Sequence, residues 1–251
     1  LKMKVNVMLS CDDNPYYSEF WNPVKDIWLK RFGIFPKLIY INNYRQTDDF
    51  VDNILYVKKV KGIPVHLQAQ LARVYFAQML KNDINVISDI DMFPISRQFF
   101  NVNKILKNCK DGSFYHLNPE KREFGQLPMC YYAGLGSTYH KLIGKLSWEE
   151  FLHMIVEKDY NTDKFDFQMP GHLVNKKLWF SDEIYLYSQV LEKNIEVIKG
   201  DKLIGNLRLD REMLMNPSAF QNINAFVDAH LPRPYTNYKT HIDNLYFALM
   251  S

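Results

Sequence analysis

The sequence predicts a single α/β domain on a parallel sheet flanked by helices, because short apolar runs alternate with amphipathic stretches along most of its 251 residues. The clearest amphipathic stretch runs straight into an apolar segment, Ile84 to Ile95, that carries Asp89 and Asp91. Strand, helix, strand, helix, strand is the grammar of a parallel sheet. With 47% hydrophobic and 15% aromatic residues the chain can bury one substantial core, which excludes a disordered polypeptide.

Val5 to Leu9 is a short apolar strand, and the segment from Ser10 to Pro15 reads as a turn after it. Phe20, Val24, Ile27, Trp28 and Phe32 recur at three- and four-residue intervals and predict a helix, which Gly33 closes in the left-handed region. Leu38 to Ile41 and Ile54 to Val57 are the next strands. Pro64 opens a helix whose apolar face is Val65, Leu67, Leu71, Val74, Tyr75, Met79 and Leu80. The strand that begins at Ile84 follows, stopped sharply by Phe93-Pro94. Next come a helix near Arg97 to Leu106, a strand at Ser113 to His116, a polar loop from Asn118 to Gln126, and a strand from Met129 to Ala133 broken by Gly134 and Gly136. Helices are predicted at Tyr139 to Leu146, at Trp148 to Glu157 from a Ser147 cap, and at Asp182 to Leu191 from a Ser181 cap. Ile195 to Ile198 is a last strand, and the proline-bearing tail from Asp228 to Tyr238 reads as a loop.

Charge and cysteine usage narrow the function classes. A net charge of +3, from 31 basic and 28 acidic residues, is too balanced to make nucleic acid the default partner, although a local basic wall facing a diphosphate is compatible with it. No run approaches the length of a membrane span, and the first residues lack a signal-peptide core. Starting at Leu1 and not Met, the chain is consistent with an excised domain. Cys11, Cys109 and Cys130 are odd in number and lack metal-ligand spacing, which predicts reduced structural thiols; no permitted Asn-x-Ser/Thr sequon occurs, and together these lean toward a cytoplasmic location.

Two carboxylates two residues apart in extended chain point to one side, so Asp89 and Asp91 outline a divalent-cation site. Oxygen ligands suit a hard divalent ion, which can carry phosphate oxygens on its remaining positions. The position adds weight, because open α/β sheets bind ligands beyond the carboxyl ends of their strands. The plain alternative is a solvated turn.

Taken in order, Ala72-Arg73 on the helix, Asp89-Ile90-Asp91 after the strand, Trp179-Phe-Ser-Asp-Glu183 downstream and Asp228-Ala-His230 near the end resemble the GT-A fold nucleotide-diphospho-sugar glycosyltransferases, which implies their Rossmann-like α/β fold, a mixed, mainly parallel sheet flanked by helices, and their DxD motif. The most specific portion is the run from Arg73 to Pro94, and no subfamily is assigned. The resemblance implies a transferase that moves a sugar from a nucleoside diphosphate sugar, a UDP-sugar, to a glycan, glycoprotein or other hydroxyl acceptor. It implies Mn²⁺ or Mg²⁺ held by Asp91, Asp89 toward the ribose or the metal's water shell, and His230 completing the coordination. Residues 1–95 become the nucleotide and metal half, and 96–251 the acceptor half with a C-terminal closing loop.

Other residues acquire candidate roles beside plain ones. Arg73 contacts the donor or forms a structural ion pair. Asp182 and Glu183 supply a general base for the acceptor hydroxyl, or merely complement a helix dipole. Ser10, Cys11 and Asn14 meet the donor's base and ribose, or form an Asx turn. Ala133-Gly134 offers backbone to the donor sugar. Tyr16, Tyr17 or Trp179 stacks on a base or acceptor sugar, and His172 rivals His230 as ligand. Two other classes stay open: a catalytically idle nucleotide-sugar binding module, and a Mg²⁺-dependent phosphohydrolase using the first aspartate as nucleophile.

Overall fold

The computed structural model describes residues 3–117, 126–158, 160, 178–200, 207–216 and 222–251. Seven strands form the main sheet: β1 (Val5–Asp12), β2 (Phe35–Asn42), β3 (Ile54–Lys58), β4 (Ile84–Ile87), β6 (Ser113–His116), β7 (Tyr132–Leu135) and β8 (Glu196–Lys199). Their order is β3-β2-β1-β4-β7-β6-β8, and β7 alone runs against the other six. The mixed, mainly parallel sheet expected from the sequence is therefore present.

Alternation along the central strands builds two cores. Val5, Val7, Leu9 and Cys11 of β1 enter one cluster with Ile84 and Val86 of β4, while Met8 and Ile87 enter the other. Helix α2 (Trp21–Asp26), the π-helical turn Ile27–Arg31 after it and α8 (Lys239–Met250) cover the first face. Helices α3 (Val65–Phe76), α5 (Gly136–Ile143), α6 (Trp148–Glu157) and α7 (Ser181–Glu192) cover the second. The short helices α1 (Pro15–Ser18) and α4 (Val102–Asn108) fill connections. The predicted helix ending at Gly33 is realised, with Gly33 at φ +65°. Helix α6 begins where its capping signal puts it: Ser147 and Glu150 bond each other's backbone amides.

Several boundaries move, each for a physical reason. Strand β1 does not stop at Leu9 but runs on through Ser10 and Cys11 to Asp12, because β2 continues to pair with it there. Strand β4 ends at Ile87, and Met92–Pro94 is a separate strand, β5, so Phe93-Pro94 begins a new pairing and does not end the old one. The expected Arg97–Leu106 helix begins only after an Asn101 cap. The expected strand at Met129 shifts to Tyr132–Leu135, and Gly134 lies inside it: a Cβ there would come 2.7 Å from the Phe114 ring, so the glycine serves packing. Gly136 starts α5 instead of a turn. Ser181 does not cap α7; it is the helix's first residue and its hydroxyl donates to the Tyr160 carbonyl.

The tail corrects the reading most. Phe226–His230 is strand β10, antiparallel to β5 and parallel to β9 (Leu207–Leu209) in a second, three-stranded sheet. Residues 118–125, most of the expected polar loop, and His172 lie outside the described residues.

Candidate active site

The chain leaves β1 for β2 and β3 on one side of the sheet and returns to β4 on the other. That reversal opens a crevice at the carboxyl ends of β1 and β4, the place where open α/β sheets bind ligands. Here it holds a cavity of about 950 Å³, lined by Ser10 to Asn14 without Asp13, by Asp89 to Asp91, by the start of α7 and by the second sheet's edge.

Register explains how Asp91 meets His230. In the β5–β10 pairing His230 lies opposite Met92, the residue after Asp91, and the Leu231 amide donates to the Asp91 carbonyl at 2.9 Å. The side chains then converge: His230 Nε2 lies 3.2 Å from Asp91 Oδ2, Arg211 Nη2 at 3.0 Å and Arg233 Nε at 3.4 Å from the same oxygen. Burial pushes the Asp91 carboxyl up, but the His230 hydrogen bond and charge, then Arg233 and Arg211, hold it well below the usual range. Arg211 also bonds His230 Nε2, and Arg233 is steadied by a bond to the Tyr17 hydroxyl and by lying 4.9 Å from that ring.

Asp89 faces a different set. Arg73, on α3 and 6% exposed, donates to Asp89 Oδ1, to the Ser88 carbonyl at 3.0 Å and to Asp182 Oδ2 at 3.2 Å. The Cys130 thiol donates to Asp89 Oδ2 at 3.1 Å. Burial works against the ionised Asp89, and the Arg73 guanidinium outweighs it, leaving the carboxyl below its ordinary value. Asp182 goes the other way: its burial outweighs Arg73, with the Asp89 charge adding to the rise. Burial, then neighbouring carboxylates, pushes the Cys11 and Cys130 thiols up, so neither offers a thiolate at neutral pH.

The structure thus brings together Ser10, Cys11, Asn14, Arg73, Asp89, Asp91, Asp182, Glu183 and His230, with Tyr16, Tyr17 and Trp179, around one cavity. The Ser10 hydroxyl is already bonded to the Ala69 carbonyl, and Asn14 caps α1 by accepting from the Tyr16 amide. Ala133 and Gly134 do not join them: both sit within β7, paired to β4 and β6, and Pro128 to Cys130 line the cavity instead. Nor does the expected metal trio close up. Among the described residues no group of three or more His, Cys, Asp and Glu side chains forms a ligand cluster. Asp91 and His230 do fit as a pair, since adjacent ligands each about 2.1 Å from one ion lie roughly 3 Å apart.

Sequence reasoning missed Arg208, Arg211 and Arg233. Arg208 binds Asp228 through two nitrogens at 2.8 and 3.0 Å, and the Tyr131 hydroxyl donates to the same carboxylate at 2.8 Å, which anchors β10 beneath His230. Arg233, three residues after His230 and between two prolines, was the one of the three with a local signal.

No protein-family model matches the chain, and no curated protein does. Among solved structures it is similar to a Drosophila β-1,4-galactosyltransferase 7 mutant in complex with manganese, UDP-Gal and xylobiose, at 10% identity and a TM-score of 0.39 over 80% of this chain and 67% of that one. It is also similar to a glycosyltransferase involved in glycosylating the major capsid of PBCV-1, at 9% identity and a TM-score of 0.45 over 96% of this chain and 99% of that one. At such scores function has to be read from the chain's own residues.

Proposed function

We propose that the chain is a metal-dependent glycosyltransferase that transfers a sugar from a nucleoside diphosphate sugar to an acceptor hydroxyl. The observation that carries the reading is the convergence of His230, Arg211 and Arg233 on one oxygen of Asp91 at the crevice's edge. One carboxylate cannot balance two guanidiniums, and a diphosphate beside a cation would. Uridine as the nucleoside is what the resemblance of the Arg73-to-Pro94 run implies.

Asp91 and His230 would hold the metal on the side of the cavity that takes the donor's phosphates, and Asp89 would face the ribose or the metal's water shell. A bound Mn²⁺ or Mg²⁺ supplies neutralisation of charge growing on the departing diphosphate. Arg211 and Arg233 add fixed positive charge on the same side. Across the cavity, Asp182 is the better candidate to take the acceptor hydroxyl's proton, because its raised affinity for a proton suits a base, and Glu183 lines the same wall. Trp179, stacked on His66 with ring centroids 5.7 Å apart, offers an aromatic face for an acceptor sugar. A reducing compartment suits the three free thiols.

A thermal-shift screen of nucleoside diphosphates and their sugars, with Mn²⁺ or with chelator, tests this. A ligand at 100 times its dissociation constant stabilises by about 2.7 kcal/mol, or roughly 5 to 11 °C in a chain of this size. UDP with Mn²⁺ should give that shift; no shift with any nucleoside diphosphate would sink the reading.

A further inference from the structure

Nε2 of His230 is asked to do two incompatible things. It lies 3.2 Å from the Asp91 carboxylate, which only accepts, and against an Arg211 N–H, which only donates. A single ring nitrogen carries either a hydrogen or a lone pair. If it donates to Asp91, Arg211 faces it donor to donor; if it accepts from Arg211, it faces Asp91 lone pair to lone pair. One change resolves both conflicts: a cation between Asp91 and His230, with Arg211 moved onto an anion.

Arg211 is the group that can make this move. It touches both atoms a cation would use through one terminal nitrogen, its side chain is 33% exposed, and its Nε bond to the Leu231 carbonyl at 3.0 Å anchors the side chain near its head while the terminal nitrogens are free to swing. Arg233 touches only Asp91 and is fixed by Tyr17, while Arg208 is committed to Asp228.

We propose that Arg211 stands in for the metal ion at Asp91 and His230 in the unliganded protein and passes to the donor's diphosphate when the ion binds. The inference rests on the nucleoside-diphosphate reading and deepens it. It makes metal and nucleotide binding mutually dependent: the ion alone must displace a guanidinium that has no anion to go to, and the diphosphate gives it one. Linkage then requires each ligand to strengthen the other by the same factor.

The test measures Mn²⁺ binding by calorimetry on the whole chain without nucleotide, in wild type, Arg211→Gln and Arg211→Lys, each checked for folding by thermal unfolding. Arg211→Gln should bind Mn²⁺ alone about tenfold more tightly than wild type, within the range of ordinary coupling factors. Arg211→Lys, which keeps one positive charge but loses the Nε bond to the Leu231 carbonyl that holds the side chain in place, should fall between them. With Mn²⁺ at saturating concentration, Arg211→Gln should lose about tenfold in UDP affinity and keep its uridine affinity. Unchanged or weaker Mn²⁺ binding in both folded variants overturns the proposal, and so does wild type that binds Mn²⁺ equally well with and without UDP. Wild type that binds no UDP under any condition overturns the functional reading as well, so the two failures are distinguishable.

Discussion

Two aspartates separated by one residue have opposite surroundings. The Asp89 side chain is 40% exposed and belongs to a group in which one guanidinium, Arg73, answers two carboxylates. The Asp91 side chain is 6% exposed and is one carboxylate answering two guanidiniums and an imidazole. One wall of the cavity is therefore short of positive charge and the other short of negative charge. The difference comes from the backbone: β4 ends before Asp89, which stays under α3 and α7, while Asp91 already belongs to the second sheet's edge. An acid-rich wall suits hydroxyl groups and proton removal, and a base-rich wall suits phosphates.

The comparison breaks most visibly at Arg73. Arg73→Met should lower stability by about 3 to 5 kcal/mol at pH 7, since it strands Asp89 and Asp182 against each other without a counter-charge. That corresponds to a melting temperature lower by roughly 6 to 20 °C. The loss should shrink on acidification, because without the guanidinium both carboxyls take up protons more readily folded than unfolded. A variant that melts like wild type at pH 7 would mean that Arg73 does not hold the acidic wall. Next in size is Asp182→Asn, expected to slow sugar transfer about 10³-fold, or roughly 4 kcal/mol, with UDP affinity unmoved. Rate loss that merely follows weaker UDP binding would assign Asp182 to the donor side instead.

How far the sequence carried depends on whether a signal was local. The strand-helix alternation, the Ser147 cap and the left-handed Gly33 are local, and all appear in the structure. The aspartate pair was legible because strand, helix and strand lead up to it. Pairings between distant segments were not: nothing in Phe226 to His230 says that it will lie against Met92–Pro94, and its prolines downstream suggested a loop. For the same reason Arg208 and Arg211 went unseen, since their roles arise only when β9 and β10 come together. Ala133 and Gly134 failed differently. The glycine looked like an opening for a ligand and is filled by the Phe114 ring.

Comparing the two aspartates directly sharpens the contrast. Asp91→Asn should remove the Mn²⁺-dependent part of UDP affinity, about 100-fold or more, because even groups behind a metal's direct ligands are worth 10- to 100-fold. Asp89→Asn should cost about 10-fold, since its oxygens are engaged by Arg73 and Cys130 and it would reach the ion only through water. Calorimetry with Mn²⁺ and with chelator separates the two. Equal losses would erase the distinction between the walls.

The smallest effect is in pH dependence, and it tests whether the two walls titrate in opposite senses. Asp182 binds a proton more readily folded than unfolded, so in that window the native state holds the extra proton and stability falls as pH rises. Asp91 binds its proton less readily folded; its contribution is complete above the ordinary carboxylate range and is lost as pH falls toward its depressed value. On acidification Asp182 is therefore neutralised first, and turnover should decline while Mn²⁺-dependent UDP binding persists. Each unit by which a single group's pKa moves changes stability by about 1.4 kcal/mol across its titration window. Melting temperatures of wild type and Asp182→Asn followed from pH 7 downward should converge, the variant having the advantage at pH 7 and losing it as wild-type Asp182 takes up its proton. Binding and turnover that fall together with pH, or melting curves that stay parallel, would mean that Asp182 is not the group that titrates first.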